Sequence, residues 1–547
     1  MYNKNIQLLE LERIYGRISP FELKDKLINL AKNQKKKSIR TLLDAGRGNP
    51  NWVSITPREA FFTFGQFAAE ECRRTWNQDT LAGMPQKKGI DKRFYTYLEN
   101  HKNSPGVKLL KNIINYGINF QGFIAEDWIY ELTDGIIGDN YPTPNRMLIH
   151  VEKIIHQYLI ERIYNIKDSS LEFKLFSVEG ATAAICYIFD SLIANELLHR
   201  RDKIAIMTPI FTPYLEIPVI PRYDFDLIRI MASESLEDST HTWQYPKSEL
   251  EKLYDPGIKA LFLVNPSNPP SVAIRSESIE YLVKIVKNKN PNLMIISDDV
   301  YGTFPDNFHS IVSALPFNSI GVYSFSKYFG VTGWRLGTIA LHKNNIFDKL
   351  LKTLPENKKK SIKKRYEALS INPGEIDFID RIVADSRQVA LQHTAGLSTP
   401  QQVQMAFFAA FDLLDKEKKY RNLTNSICRK RKKLLFDGLG IDLQKNEYDA
   451  SYYAEFDLLE WSEHHYGKEF GSYLKENYKP VDILFKLAEK SSIVLLSGAG
   501  FYAPEWSIRI SLANLNDESY SEIGHILHNI LKDCLRDWKN SQKSSDS

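Results

Sequence analysis

Short apolar runs that alternate with helical patterns between about residues 150 and 345 place the strongest constraint on the fold. The runs are KIAIM (203–207), LIRIM (227–231), ALFLV (260–264), LMIIS (293–297), IGVYS (320–324) and LGTIAL (336–341). They are apolar almost throughout, which is typical of strands covered on both faces. Strands that alternate with helices indicate βαβ units and a largely parallel sheet. The sequence therefore predicts an α/β fold with one large sheet-containing domain.

The chain of 547 residues is too long for one compact core, so at least two domains are expected. We predict a large domain over residues 150–399 and a C-terminal small domain over 400–547. Residues 1–149 are predicted to supply an N-terminal segment, part of the small domain and an insertion. The apolar runs at 492–502 and 506–513 look like strands of the smaller unit. The two chain ends would then build one small α+β domain.

Composition and charge favour a globular protein that acts on small molecules. Hydrophobic residues make up 43% and charged residues 25%, and the formal net charge of +4 is too small to predict nucleic acid as a partner. The four cysteines are far apart without metal-ligand spacing, so reduced thiols, no metal site and a cytoplasmic location are expected. There is neither a signal-peptide pattern nor a run of about 18 apolar residues, so no membrane association is expected.

The segment SFSKYFGVTGWRLG (324–337) follows the fifth apolar run, at the kind of position where open α/β sheets place their ligand sites. Taken singly, Lys327 is compatible with a surface lysine and Arg335 with an ordinary ion-pair partner. The pattern S-x-x-K-x-x-x-x-x-G-x-R-x-G, however, resembles the cofactor lysine segment of fold-type I aminotransferases. This resemblance implies the fold of the transferases that depend on pyridoxal 5'-phosphate (PLP). It also implies that Lys327 holds PLP as a Schiff base and that Ser324 and Arg335 bind the phosphate.

A second segment, ISDDVYGTF (296–304), resembles the D-x-x-Y element of the same family. The resemblance implies that Asp298 lies beside the pyridine nitrogen and keeps it protonated, so that the ring accepts electrons. It also implies that Tyr301 binds the oxygen of the cofactor 3-hydroxyl group. Asp299 is the alternative acid, but alternation along an extended segment predicts that its side chain points to the opposite side.

Two further turns resemble cofactor-binding elements of these enzymes. The turn NPSNPP begins at Asn265 and is similar to the family's N-P-x-[GN]-P turn, which implies contact of Asn265 with the 3-hydroxyl; alone, it is an ordinary proline-rich turn. In EGATAAICYIF (179–189), Gly180, Ala181 and Thr182 match a small–small–hydroxyl turn whose helix N-terminus binds the cofactor phosphate. Ala181 stands where glycine is common in the family.

The resemblance also assigns residues to the ring face and to the substrate. Phe211, in TPIFTPY, stands at the family position that stacks on the cofactor ring, with core packing as the competing interpretation. Arg509 lies where the family keeps the arginine for the substrate α-carboxylate, which a bidentate guanidinium suits better than lysine. Tyr214 and Gly48 complete the predicted substrate-binding residues.

Three N-terminal segments indicate one particular group among the fold-type I aminotransferases. SPFELKDKLINLA (19–31), DAGRGNPNW (44–52) and GDNYPTPNRML (138–148), together with the chain length, resemble the L-aspartate 4-decarboxylase family, which is bifunctional with aspartate aminotransferase. The resemblance implies loss of CO2 from the β-carboxylate of L-aspartate to give L-alanine, with transamination as a side reaction. It also implies a homo-oligomer built from dimers, with a dodecamer as one option, in which Tyr141 reaches the cofactor phosphate of the neighbouring subunit.

Lys24 and Arg47 match charged residues of these decarboxylase segments. They are the candidates for placing the β-carboxylate or protonating Cβ, while a surface lysine and a loop arginine stay open as alternatives. Thr394 stands where an ordinary aminotransferase has its arginine for the distal carboxylate, which disfavours a plain aspartate or dicarboxylate aminotransferase. A non-catalytic regulatory module is the third interpretation, and the complete set of cofactor residues argues against it.

Overall fold

A mixed seven-stranded sheet is the centre of the structure, a computed structural model that describes residues 19–35, 42–76, 83–139, 146–168, 171–236, 241–389 and 396–545. The strands are β1 (Leu43–Asp44), β2 (Phe173–Val178), β3 (Lys203–Thr208), β4 (Asp226–Met231), β5 (Ile258–Val264), β6 (Met294–Asp298), β7 (Ser319–Ser324), β8 (Gly337–His342), β9 (Tyr453–Asp457), β10 (Ile493–Val494), β11 (Leu496–Ser497) and β12 (Ser507–Ser511). The sheet has the order β2-β8-β7-β6-β5-β3-β4. Strands β3 to β7 are parallel, and β8 runs antiparallel to both of its neighbours.

The six predicted apolar runs coincide with β3 to β8, so the predicted α/β fold with a mostly parallel sheet is confirmed. Sequence reasoning missed β2 and the reversed direction of β8. The carboxyl ends of β3, β5, β6 and β7 lie at one edge of the sheet because these strands are parallel neighbours. The loops that leave this edge carry most of the predicted site residues, as expected for an open α/β sheet.

The described α-helices cover both faces of the sheet and build the remainder of the molecule. They are α1 (Pro20–Lys35), α2 (Ile55–Thr75), α3 (Ile90–Asn100), α4 (Val107–Asn119), α5 (Ala125–Ile137), α6 (Ile149–Tyr158), α7 (Ala181–Ala194), α8 (Thr212–Glu216), α9 (Lys247–Leu250), α10 (Ser276–Asn288), α11 (Ile311–Ala314), α12 (Ile346–Thr353), α13 (Glu356–Tyr366), α14 (Phe378–Ser386), α15 (Thr399–Leu414), α16 (Lys419–Leu439), α17 (Leu458–Tyr466), α18 (Lys468–Asn477), α19 (Pro480–Ser491) and α20 (Asp517–Ser545). Within the described ranges, no helix combines the length and hydropathy needed to span a lipid bilayer.

Helices α2, α4 and α5 pack against α15, α3 packs against α5, and all four belong to the large hydrophobic core. Phe64, Ile113 and Trp128 of these helices are fully buried there together with Phe407 of α15. The aromatic rings interlock edge to face, with Phe64 and Phe407 centroids 5.9 Å apart. The N-terminal helical region is therefore an extension of the large unit.

The two chain ends share a second, smaller core. Leu23, Leu27 and Ala31 repeat at helical spacing along α1, and this face is buried against β10 and α19 of the C-terminal part. Strand β1 pairs in parallel with β10, and β11, β12 and β9 form an antiparallel sheet. Packing places the division between the units inside α16, where Cys428 lies in the large core and Leu435 in the small one. The boundary predicted at residues 399 and 400 lies earlier in the chain than this division, because α15, which begins at Thr399, still belongs to the large core.

Candidate active site

A cavity of about 310 Å³ opens at the carboxyl edge of the sheet, where the two units and the N-terminal segment meet. It is lined by Phe21, Gly48, Asn49, Ala181, Thr182, Phe211, Tyr214, Val264, Asn268, Asp298, Val300, Tyr301, Ser324, Ser326, Lys327, Thr332, Arg335, Tyr453 and Arg509. Most residues predicted from the sequence are in this set. Gly180, Asn265, Lys24 and Arg47 are not, and Tyr141 and Thr394 lie outside the described residues.

Lys327 follows β7 and directs its amine into the cavity. Its Nζ donates a hydrogen bond of 2.9 Å to the Gly48 carbonyl oxygen, which also accepts from the Tyr452 hydroxyl at 2.8 Å. A Cβ atom at Gly48 would lie 2.3 Å from Tyr453 Oη and 3.1 Å from Lys327 Nζ. Only glycine therefore lets this backbone approach the lysine. The N-terminal segment thereby forms one wall of the site.

Asp298 ends β6 with its carboxylate in the cavity. Its Oδ2 accepts from the Tyr214 hydroxyl at 2.8 Å, and its Oδ1 accepts from the Val300 N–H at 3.1 Å. Burial raises the pKa of Asp298 to about 6, although both hydrogen bonds and the charge of Lys327 favour the ionised form. Asp299 points away and accepts from Ser297 and Ser310, as alternation predicted.

The opposite end of the cavity concentrates groups that suit an anion. Arg335 donates only to backbone carbonyl oxygens among its described partners, those of Thr332 at 2.9 Å and Glu179 at 3.1 Å. Ala181 and Thr182 begin α7, so backbone N–H groups and the positive end of a 14-residue helix face the same place. Gly180 does not line the cavity; it has φ +94°, and a Cβ there would lie 2.5 Å from Arg335 Nη2. Glycine at position 180 therefore allows the Arg335 guanidinium to approach the backbone at the start of α7.

Hydroxyl groups and an aromatic ring complete the walls of the cavity. Ser324 Oγ donates to Ser326 Oγ at 2.9 Å, and both serines line the cavity, although sequence reasoning singled out only Ser324. Phe211 is half-buried and meets the Tyr214 ring edge-on, with centroids 5.4 Å apart. Phe21 of α1 lies 5.8 Å from Phe211. Phe211 thus lines the cavity and packs against its neighbours at the same time.

Arg509 stands in the middle of β12 and is 1% exposed. Its Nη2 donates to the Gly46 carbonyl at 2.9 Å and its Nη1 to Asn268 Oδ1 at 3.3 Å, while Nε has no partner within the described part of the chain. Among the described residues, Arg509 forms no ion pair. The guanidinium carbon of Arg509 lies over the Tyr453 ring, 4.3 Å from the centroid of that ring. Because an unpaired buried charge is costly, this guanidinium suits an anionic ligand in the cavity.

Asn268, three residues beyond the predicted Asn265, is the asparagine that reaches the cavity. Asn265 is fully buried inside its loop, where Oδ1 accepts from the Ile274 N–H at 3.0 Å and Nδ2 donates to the His309 carbonyl at 3.0 Å. Both ends of its amide are therefore occupied in closing the loop. Asn268 therefore lines the cavity and Asn265 does not, although both asparagines precede a proline in the same turn.

Tyr452 and Tyr453, which the sequence analysis did not single out, join the predicted Tyr301 in a tyrosine cluster beside the amine of Lys327. The hydroxyl groups of Tyr301 and Tyr453 are 3.1 Å apart, and the rings of Tyr301 and Tyr452 lie with centroids 5.0 Å apart. Burial opposes ionisation of Tyr453, but the charges of Lys327 and Arg509 outweigh it and hold its pKa below the ordinary value. Two adjacent tyrosines at a strand start, Tyr452 and Tyr453, were the available signal.

Lys24 and Arg47 lie beside the cavity without lining it. The Lys24 amine is 5.9 Å from the centroid of Phe21, whose ring does line the cavity. Arg47 is 60% exposed and forms an ion pair of 3.1 Å with Asp44. Their predicted roles at the substrate therefore stay predictions.

This fold and this arrangement of a lysine amine, a buried carboxylate and an anion-binding helix start define the class of PLP-dependent aminotransferase-like enzymes. The chain belongs to the aminotransferase class I and II family, which matches residues 178–526. It is 44% identical, over 96% of its length and 98% of the relative's, to a Pseudomonas sp. protein named bifunctional aspartate aminotransferase and L-aspartate beta-decarboxylase. It is also 29% identical, over 27% of its length and 38% of the relative's, to an aspartate aminotransferase of Thermotoga maritima.

Solved structures show the same fold at low sequence identity. The crystal structure of an aspartate aminotransferase from Thermotoga maritima has a TM-score of 0.55 and 18% identity, over 94% of this chain and 97% of that one. An aromatic aminotransferase from Pyrococcus horikoshii has a TM-score of 0.55 and 17% identity, over 92% of this chain and 99% of that one. The cofactor of the family is PLP, and the cavity fits it: Arg335 lacks a carboxylate partner among the described residues, and only glycine at position 180 leaves room beside it.

Proposed function

We propose that the protein removes the β-carboxylate of L-aspartate, producing L-alanine and CO2, with aspartate transamination as a side activity. The observation that carries the proposal is the 44% identity along 96% of the chain to the bifunctional Pseudomonas enzyme. The cavity agrees with it. Its described lining contains three cationic residues, Lys327, Arg335 and Arg509, and the first two serve the cofactor. Arg509 alone is left for substrate, so no lining arginine would stabilise the departing β-carboxylate more than the transition state.

The residues present would hold PLP at both of its ends. Ser324, Thr182, Arg335 and the N-terminus of α7 would bind the phosphate. Asp298, held by Tyr214, would pair with the ring nitrogen, while Tyr301 and Asn268 would bind the oxygen of the 3-hydroxyl group. When bound, PLP supplies an electrophilic carbon for the substrate amine and a ring that accepts electrons from the substrate.

The chain's own groups bind substrate and move protons. Arg509 binds the α-carboxylate and thereby orients the Cα–H bond toward Lys327. The Lys327 amine, held 2.9 Å from the Gly48 carbonyl, removes the Cα proton and later returns it. Lys24 and Arg47, beside Phe21 and Gly48, place the β-carboxylate or deliver the proton that Cβ receives after CO2 leaves. The hydroxyl groups of the buried residues Tyr301 and Tyr453 keep the surroundings of the Lys327 amine polar but shielded from solvent.

Assembly and location complete the proposal. We propose a homo-oligomer built from dimers, with a dodecamer as one option, in which Tyr141 reaches the phosphate of the neighbouring subunit. A cytoplasmic location is supported by the four free thiols, since disulfides are uncommon there. Light scattering coupled to size-exclusion chromatography measures the oligomer directly.

The deciding experiment is incubation of PLP-loaded protein with L-aspartate and no keto acid. Sustained release of alanine and CO2 in equal amounts is expected, because decarboxylation regenerates the cofactor form that starts the next turnover. An aspartate aminotransferase, the second candidate function, would stop after one equivalent of oxaloacetate and resume only when 2-oxoglutarate is added. That outcome would replace the proposed function.

A further inference from the structure

Glu455 is a buried carboxyl group that faces Arg509 from the neighbouring strand. Glu455 of β9 and Arg509 of β12 are direct partners in the antiparallel register, so their side chains leave the same face of the sheet. They are 8% and 1% exposed. Nevertheless, the two side chains form no ion pair, since Arg509 donates to Gly46 and Asn268 instead. Two opposite charges at such neighbouring positions would be expected to meet.

The hydrogen bonds of Glu455 explain why they do not. Ser507 Oγ lies 2.5 Å from Glu455 Oε1 and 2.7 Å from the Pro504 carbonyl oxygen. A serine hydroxyl has one proton, so it cannot donate to two acceptors. The arrangement is complete if Glu455 carries a proton and donates it to Ser507, which donates to Pro504. The other oxygen, Oε2, is buried and has no hydrogen-bond partner among the residues that the structure describes, which an ionised carboxylate tolerates poorly.

The local backbone keeps water away from this carboxyl group. Gly498 follows β11 and covers Glu455 so closely that a Cβ atom there would lie 2.1 Å from Glu455 Oε1 and 1.9 Å from Ser507 Oγ. A side chain at position 498 would open the contact. Glycine at position 498 therefore shields the carboxyl group of Glu455, which lies next to the cavity-lining Arg509.

We propose that Glu455 is a positioning residue: as a neutral acid it leaves the charge of Arg509 available to the substrate α-carboxylate, and its ionisation weakens substrate binding. The inference rests on the proposed role of Arg509 in substrate binding. Burial raises the pKa of Glu455 to about 8; the Ser507 hydrogen bond and the Arg509 charge oppose the shift, and Asp457 on the same strand adds to it. Within the described ranges, Arg509 and Asp457 are the charged groups that act on Glu455, and His241 lies 3.5 Å beyond Asp457.

The test measures binding of 2-methylaspartate, which has no Cα proton to lose, to the holoenzyme from the change in its visible spectrum between pH 6 and 9.5. Wild type and Glu455→Gln are compared as the ratio of their Kd values, because ionisations common to both cancel. Glutamine keeps the shape and a donor for Ser507 but never ionises. We expect equal Kd values near pH 6.5 and, at pH 9.5, binding to the variant tighter by about fivefold or more.

Controls separate this role from general effects. Glu131→Gln changes a carboxylate that binds His150 in the N-terminal helical region, and its Kd ratio to wild type should stay near one at every pH. Glu455→Met, which is similar in length and cannot ionise, should also lack the alkaline loss of binding. Glu455→Met replaces Glu455→Gln in the test if circular dichroism shows that the glutamine variant does not fold.

A ratio that does not change with pH would overturn the inference, whether the ratio is one or another constant value that reflects a structural role only. Alanine and CO2 production from aspartate is measured separately at pH 7. If that production is absent while the Kd ratio changes as expected, the proposed function is wrong and the inference about Glu455 stands. If production is normal and the ratio is flat, only the inference is wrong.

Discussion

Three cationic side chains of the cavity share one property at the residue scale: their described hydrogen-bond partners are neutral. Lys327 donates to the Gly48 carbonyl, Arg335 to two backbone carbonyls, and Arg509 to Gly46 and Asn268. Neutral acceptors hold the groups in place without cancelling their charge. The cavity is thereby prepared for ligands that carry phosphate and carboxylate groups.

Lys327→Ala should remove the visible absorption band of the bound cofactor and lower turnover by at least about a hundredfold, since both the covalent attachment and the proton transfer are lost. Absorbance spectra and alanine release measure the two effects. Lys343→Ala, which changes an exposed lysine at the end of β8, is the matched control and should retain both. A retained absorption band in the Lys327 variant would contradict the assignment.

Arg335→Leu should weaken PLP binding by about 2 kcal/mol, roughly thirtyfold in Kd, because a charged donor to the phosphate is lost. Once saturated with PLP, the variant should have a nearly normal spectrum. Fluorescence titration of apoenzyme with PLP gives the affinity. Arg200→Leu removes an exposed arginine paired with Asp224 and should bind PLP as wild type does. Equal affinities for all three proteins would rule out the phosphate role.

Lys24→Ala and Arg47→Ala should change the partition between the two reactions. If these residues orient the β-carboxylate or protonate Cβ, their loss slows CO2 release while Cα deprotonation by Lys327 continues. A loss of about 3 kcal/mol of transition-state stabilisation corresponds to roughly a hundredfold slower decarboxylation. Alanine and oxaloacetate are quantified from one aspartate pool, and the oxaloacetate share should rise. A proportional fall of both products would assign these residues to binding or folding instead.

At the scale of helices, strands and loops, the conformation of each loop determines which side chains reach the cavity. The sequence predicted β3 to β8 because each is a short apolar run, and it predicted the cavity edge because ligand sites follow parallel strands. It could not separate Asn265 from Asn268, since both precede proline and only the folded loop turns one inward. The strand β2 was missed because its run FKLFSV is interrupted by polar residues, and no local pattern specifies that β8 is antiparallel.

The two asparagines should respond in opposite ways to substitution. Asn265→Ala leaves the buried Ile274 N–H and His309 carbonyl without their side-chain partners, so it should cost about 2–3 kcal/mol of unfolding free energy. Asn268→Ala should change stability less and raise the KM for aspartate, because it removes a partner of Arg509. Thermal unfolding and steady-state kinetics of both variants provide the comparison. A larger kinetic effect from Asn265→Ala would reverse the assignment.

At the scale of the whole molecule, side chains of the large unit contact the small unit outside the cavity as well as at it. His241 of the large unit lies 3.5 Å from Asp457 and 3.4 Å from Glu460, at the junction of β9 and α17. Asp457 also accepts from the first N–H groups of α17 and so fixes the start of that helix. Sequence patterns predicted that both chain ends join one small unit but not these contacts, which depend on residues about 200 positions apart.

The His241 contact should make stability depend on pH. Burial alone would lower the pKa of His241, but the Asp457 hydrogen bond and the Glu460 charge raise it above the ordinary 6.5. The contact therefore stabilises fully below about pH 6.5 and loses its effect as pH rises through the folded-state pKa. His241→Gln should lower the unfolding free energy by ~1 kcal/mol at pH 6 and much less at pH 9. Exposed His464→Gln is the control, and an equal loss at both pH values would refute the mechanism.

The parallel pairing of Leu43 with Ile493 has a consequence for how a ribosome produces this enzyme. At about 5–20 residues per second, the partner of β1 is synthesised roughly 20 to 90 seconds after β1 itself. Throughout that interval the apolar face of α1 has no native surface to cover it. The strands of the large sheet, β2 to β8, are synthesised within that interval, whereas β1, which precedes Gly48 and the wall beside Lys327, pairs only after β10 has been made.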